Sequence, residues 1–217
     1  MRFTGYITGV DILQVMKKQV MASEDIPTAL ALVRDLVNSR QILRGNSYAR
    51  EDLHTPAALD EWWQRRAGWA WPKPSDRAEL DSALVAREGF RGLLAHNNDC
   101  ARPEDRDAIA ALDALAATLP LRIVVSSGTP ARLVPLEVGS AREAVAALLA
   151  EMIRASAGQT WQRLKVCHDP DCREAFYDTS RNGSRIWCSM EVCGSRAKQR
   201  AFIARRRGAE KKNGGMA

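Results

Sequence analysis

No run of apolar residues approaches the roughly eighteen that a membrane-spanning helix needs. The amino-terminal stretch MRFTGYITGVDILQVMKK places Asp11 inside its best apolar run and has no small-residue cleavage site. These absences argue against a membrane-spanning or secreted protein, and a cytoplasmic location is expected. Also missing are a glycine-rich phosphate loop, an HExxH pair and a nucleophile elbow, while His54 and His96 stand isolated from any nucleophile or carboxylate pattern. A protein that is not an enzyme is therefore expected. There is no internal repeat and no low-complexity segment. With 46% hydrophobic and 27% charged residues among 217, the chain is neither disordered nor collagen-like.

What is present is distributed unevenly. The formal net charge is +6, but residues 158–217 alone carry +7, which leaves −1 for residues 1–157. Within 196–212 stand Arg196, Lys198, Arg200, Arg205, Arg206, Arg207, Lys211 and Lys212 against one acid, Glu210. Such an asymmetry points to a polyanionic partner or to a solvated basic tail. Cysteine divides the chain in the same way. Cys100 is alone, whereas Cys167 and Cys172, then Cys188 and Cys193, form two pairs with four residues inside each and fifteen between them. That spacing is close to that of four-thiolate zinc sites, and without a secretion signal metal is a better explanation than disulfides. His168 adjoins the first pair but is unneeded beside four thiolates.

The rest of the chain reads as α+β and mostly helical. Residues 1–22 form an ill-defined extension, and Ala22–Asp25 read as a helix cap. Ala29–Ser39 has helical spacing that should bury Leu32, Val33, Leu36 and Val37. Further helices are predicted after Thr55-Pro56, after Pro74-Ser75-Asp76 and after Arg102-Pro103, each opening on a cap residue or proline. LRIVVSS and ARLVPLEVG, joined through Gly128, predict a hairpin, and AREAVAALLAEMIRAS predicts a helix with Val145, Leu148, Leu149, Met152 and Ile153 on one face. Residues 23–157 are read as one helical domain with a small β-hairpin. Trp62, Trp63, Trp69 and Trp71 are expected to form a packing patch, the sharper alternative being an aromatic pocket for a small-molecule effector.

Residues 158–208 are too few, and too poor in large apolar side chains, to hold a core unaided, so a metal should decide whether they fold. Asp169-Pro170-Asp171 supplies turn chemistry for a knuckle between Cys167 and Cys172. EAFYDTS and RIWC are predicted as paired strands that return Cys188 to the first pair, with Phe176, Tyr177, Trp187 and Phe202 as a mini-core. Ser189 should cap a helix from about Val192 to Arg207, with Cys193 in its first turn. The whole describes a treble-clef-like finger, followed by a basic tail over 209–217. On that helix Arg196, Arg200 and Arg207 fall on one stripe, and Ala197, Ala201 and Ala204 on a packing face.

The run from Cys167 to Cys172, Phe176-Tyr177-Asp178-Thr179-Ser180, Arg185-Ile186-Trp187-Cys188-Ser189-Met190 and Cys193-Gly194-Ser195-Arg196-Ala197-Lys198 closely resembles the CGNR zinc-finger family. Upstream, Leu36-Val37-Asn38-Ser39-Arg40 resembles the signature that opens that family's ABATE domain. The resemblance implies a zinc- and DNA-binding module on a helical α+β domain, in stress-induced transcriptional regulators of bacteria. Ser195 stands where the family signature has Asn, and keeps a small hydrogen-bonding group at a helix start. By this resemblance Cys167, Cys172, Cys188 and Cys193 hold one structural zinc ion, and the charge run on the helix makes Arg196, Lys198, Arg200, Arg205, Arg206 and Arg207 the residues expected to face DNA, duplex because no aromatic platform for single strands surrounds them. Zinc held by four thiolates lowers the charge of 158–217 to about +5, which leaves the basic helix dominant. A homodimer is expected if recognition is sequence-specific. The alternative is a protein-interaction or redox-sensing module that binds no DNA.

Overall fold

The computed structural model describes residues 26–42, 49–136 and 139–213. The expected extension over 1–22, the cap at Ala22–Asp25 and the last residues of the basic tail lie outside them. Along the chain run α1 (Thr28–Val37), β1 (Arg40–Ile42), β2 (Ala49–Glu51), α2 (Pro56–Ala67), α3 (Arg77–His96), α4 (Pro103–Ala116), β3 (Leu121–Ser126), β4 (Thr129–Pro135) and α5 (Ala141–Ala157). A short 3₁₀ turn (Trp161–Arg163) leads into β5 (Leu164–Val166) and β6 (Ala175–Tyr177), and a π-helical turn (Met190–Gly194) leads into α6 (Ser195–Asn213). The three sheets are antiparallel pairs, β1 with β2, β3 with β4 and β5 with β6.

The helix starts follow from their caps. Thr55 accepts the Ala58 N–H at 3.1 Å ahead of Pro56, and Asp76 and Glu79 exchange bonds of 2.9 and 3.0 Å in a capping box. Gly68, at φ 68°, ends α2 in the left-handed conformation. Helices α3 and α4 approach so closely at Gly89 that a Cβ there would lie 2.4 Å from that of Leu112, so only glycine fits.

Leu32, Val33, Leu36 and Val37 are buried, as their spacing requires. Helix α5 departs from its one-faced reading: residues Ala144–Glu151 are all buried, whereas Ile153 is 47% exposed. A helix enclosed on all sides is the centre of a core, and α5 packs on α1, α3 and β4. The tryptophans are packing residues. Trp62, Trp63 and Trp69 are buried in the core with ring centroids 4.8 and 5.2 Å apart in sequence order, and Trp71 packs 5.9 Å from Trp69. None of the four indole N–H groups has a hydrogen-bond partner, so the cluster is held by ring packing, with Trp62 also lining a small recess beside Arg50, Asp52, Arg65 and Arg66.

The core does not stop at the end of the helical domain. Trp161, Leu164, Val166 and Ala175 belong to the same cluster as Leu36, Phe90 and Leu148. Strands β5 and β6 thereby close one side of the helical body.

Candidate metal centre and basic helix

The knuckle sits at the tip of the β5–β6 hairpin. The Cys167 N–H donates to the Glu174 carbonyl at 2.8 Å, and the Cys172 N–H donates to the Asp169 carbonyl at 3.0 Å. Arg173 then takes a φ of 52°, which turns the chain back into β6. The predicted pairing of EAFYDTS with RIWC is corrected here: the partner of β6 is β5, with Lys165 opposite Phe176, and residues 184–187 form an extended segment outside any sheet. That segment returns Cys188 by one ladder-like bond, from the His168 N–H to the Ile186 carbonyl at 3.0 Å.

Its course is set by a buried polar network. The Lys165 ammonium donates to Asp178 Oδ2 at 2.8 Å and to the carbonyls of Gly183 and Arg185 at 2.6 and 3.1 Å, which uses all three of its donors. Asp178, fully buried, also accepts from the Ser180 and Arg185 N–H groups, both at 2.9 Å. Burial works against its charge, but the bonds from Lys165 and Ser180 outweigh it and hold the carboxyl below the usual range. Arg185 in turn donates to the carbonyls of Trp187 and Cys188. Lys165 carries no signal in sequence, because it looks like a surface charge until the hairpin register is known, whereas Asp178 stands in the finger motif but its role shows only once that register is fixed.

Cys193 is delivered by the π-helical turn, where Ser189 accepts the Val192 N–H at 3.2 Å. The Ser189 cap is as expected, but α6 begins only at Ser195, so Cys193 precedes the helix proper. The four sulfurs of Cys167, Cys172, Cys188 and Cys193 lie within 4.8 Å of one another, with Cys172–Cys188 at 3.6 Å and Cys188–Cys193 at 3.7 Å. A tetrahedral ion with Zn–S bonds of about 2.3 Å separates its sulfurs by about 3.8 Å. The set is thus able to bind one zinc ion. S–H bonds from Cys172 and Cys188 draw the Cys167 thiol down to about 2, and the same bonding pushes Cys172 up to about 12 and Cys188 up as well. Cys193 is pushed up mainly by burial, with the Cys167 sulfur adding to it. Four sulfurs this close cannot all ionise alone, and a bound dication removes that conflict. His168 is exposed, its ring edge-on to Trp187, and lies outside the set. Cys100 is half-buried against the core, 3.9 Å from the Val166 carbonyl, and also stands apart.

The finger is bonded to the body at points that explain the upstream motif. Asn38 donates to the Ala175 carbonyl at 2.9 Å and accepts the Ala175 N–H at 2.7 Å, pairing with β6 as a strand would. Asn98 donates to the carbonyls of Val166 and Ile186 at 2.7 and 3.0 Å, and the buried pair Arg173–Asp105 closes at 2.6 Å.

Helix α6 leaves the finger through the π-helical turn. Arg200 reaches back to Asp169 at 3.1 Å and Asp171 at 3.7 Å, and Arg196 lies 4.0 Å from Asp169, which is fully buried. Two members of the predicted arginine stripe thus anchor the helix on the knuckle while remaining 43% (Arg196) and 35% (Arg200) exposed. The expected alanine packing face is corrected beyond Ala197: residues 201–207 are all exposed, Ala201 and Ala204 among them. Phe202, at 53% exposed, is no part of a finger core.

A mostly helical α+β body that carries a four-thiol, treble-clef-like finger and a projecting basic helix defines a zinc-finger protein. The family model for ABATE, described as "Putative stress-induced transcription regulator", matches residues 30–160, more than half of the chain, and the chain belongs to that family. The CGNR zinc finger matches residues 163–206. No curated protein matches the chain. No helix among the described residues is long and apolar enough to cross a membrane.

Proposed function

We propose that this chain is a transcription regulator, not an enzyme, in which Cys167, Cys172, Cys188 and Cys193 hold a structural zinc ion and α6 contacts duplex DNA. One observation carries the reading. The thiol set lies at the root of a basic helix whose side chains from Ala201 to Arg207 are all exposed. Arg205, Arg206, Arg207 and Lys198 then offer positive charge to phosphates, and Arg196 and Arg200 add partly screened charge while fixing the helix direction. A closed four-thiolate site leaves no position for water, so metal-assisted hydrolysis is not its task. Single modules of this size bury roughly 600–1,000 Å², so sequence-specific binding calls for a homodimer, with the helical body as its assembly or sensing part.

The test is binding of zinc-loaded protein to labelled duplex DNA across a salt series. If about five phosphates are neutralised, affinity falls by about 2.7 decades over a fourfold rise in salt. Replacing Arg205 and Arg207 by Ala should flatten that slope with zinc retained, and Cys188→Ser should abolish both zinc and binding. Absence of binding at low salt by fully metallated protein overturns the reading. It would favour a redox or partner-docking role, for which Cys172 and Cys188 are half-buried and within reach of an oxidant. Peroxide would then take two electrons from a thiolate pair, form a disulfide, leave as water and eject the zinc.

A further inference from the structure

A cleft of about 590 Å³ is lined by residues of the helical body and of the finger. Arg34 and Asp35 of α1, Arg50 of β2 and Arg66 near the end of α2 form one wall, and Glu174 and Arg185 of the finger form the other. A smaller recess shares Arg50 and Arg66 with it and adds Asp52, Trp62 and Arg65. Across the two, among the described residues, five guanidiniums face three carboxylates. The single carboxylate of Asp35 serves both Arg34, at 2.8 Å, and Arg66, at 3.1 Å, and Arg50 pairs with Asp52 at 3.1 Å. Among the described residues Arg185 has no carboxylate partner: its guanidinium lies 4.9 Å from the centre of the Phe176 ring and donates to backbone carbonyls.

We propose that this cleft binds a small phosphate-bearing molecule, no larger than a mononucleotide. The surplus of two positive charges matches the charge of about −1.5 to −2 on a phosphate monoester at pH 7, and guanidinium forks suit its oxygens. A volume of this size lies within the roughly 300–1,000 Å³ of small-ligand sites. Because the cleft's walls come from both parts, a bound phosphate bridges α1 and the finger strand. The proposal does not depend on DNA binding.

Calorimetric titration of the zinc-loaded full chain with inorganic phosphate, a nucleoside monophosphate and succinate tests it. Both phosphates should bind and succinate should bind at least tenfold more weakly. Thr179 is exposed and lines the cleft, so Thr179→Glu introduces a repelling carboxylate without touching the core. It should weaken phosphate binding at least tenfold, as should Arg66→Gln, with zinc content and thermal midpoint checked in each. Replacing Arg205 and Arg207 by Ala should leave phosphate binding unchanged. No binding at millimolar phosphate, equal binding of succinate, or loss of binding only in the α6 variant would each overturn the proposal.

Discussion

The body and the finger reach order by opposite means. In the body the largest fully buried side chains are apolar, Trp62, Trp63, Phe90 and a set of leucines, and area removed from water does the stabilising. In the finger the buried side chains include Asp169, Lys165, Arg173 and Asp178, each needing a partner, together with the thiol set. Buried charges supply direction more than stability, since their attraction must first offset desolvation. Apolar packing makes the body stable, whereas hydrogen bonds and thiols make the finger precise, and β5 and β6 join the two in one core.

If that contrast holds, removing metal should have the largest effect. Chelation, or Cys188→Ser, forfeits a structural-zinc contribution of about 10–16 kcal/mol. The shared strands should then carry the loss into the body, and circular dichroism should show one lowered thermal transition in place of an intact body beside a melted finger. An unchanged body transition would mean that the two parts are independent. Next, Trp63→Ala opens a cavity in the body and should cost about 3–5 kcal/mol by urea unfolding, with zinc still bound in the folded fraction. Asp178→Asn leaves the Lys165 ammonium buried without its counter-charge, which should cost about 3 kcal/mol and lower zinc affinity in a chelator competition, an effect Trp63→Ala should lack. Smallest is Asn38→Ala, which strips partners from the Ala175 N–H and carbonyl for about 1–3 kcal/mol. It should accelerate amide exchange in β6 first, and exchange that rises evenly over the chain would argue against a local seam.

The parts that could be read in advance are those with a local cause. Thr55 and Asp76 announce their helices because a cap acts within three residues, and the four thiols announce a metal because ligand spacing is short-range chemistry. What escaped was long-range. RIWC looked like the partner of EAFYDTS, but the partner is LKV, whose central lysine hides a strand until Asp178 is seen to receive it. The all-round burial of α5 could not be told from an amphipathic helix, because alanine is compatible with either face. Asn38 was visible as part of a motif, but its reason, a strand-like bond to Ala175, lies 137 positions away. The cleft arginines are scattered over α1, β2, α2 and the finger loop, so no pattern in the sequence gathers them.

Helix α6 spans 19 residues, about 28 Å at 1.5 Å per residue, and it springs from a five-residue π-helical turn that carries Cys193. It is a lever with a short, chemically defined fulcrum. Tilting it by about 10° at that turn sweeps its far end through about 5 Å, more than the 3.4 Å between successive phosphates of one DNA strand along the helix axis. Under the proposed DNA-binding role, a change in the seating of Cys193 that tilted the helix this far, against the hold of Arg196 and Arg200 on Asp169, would change which phosphates its tip meets.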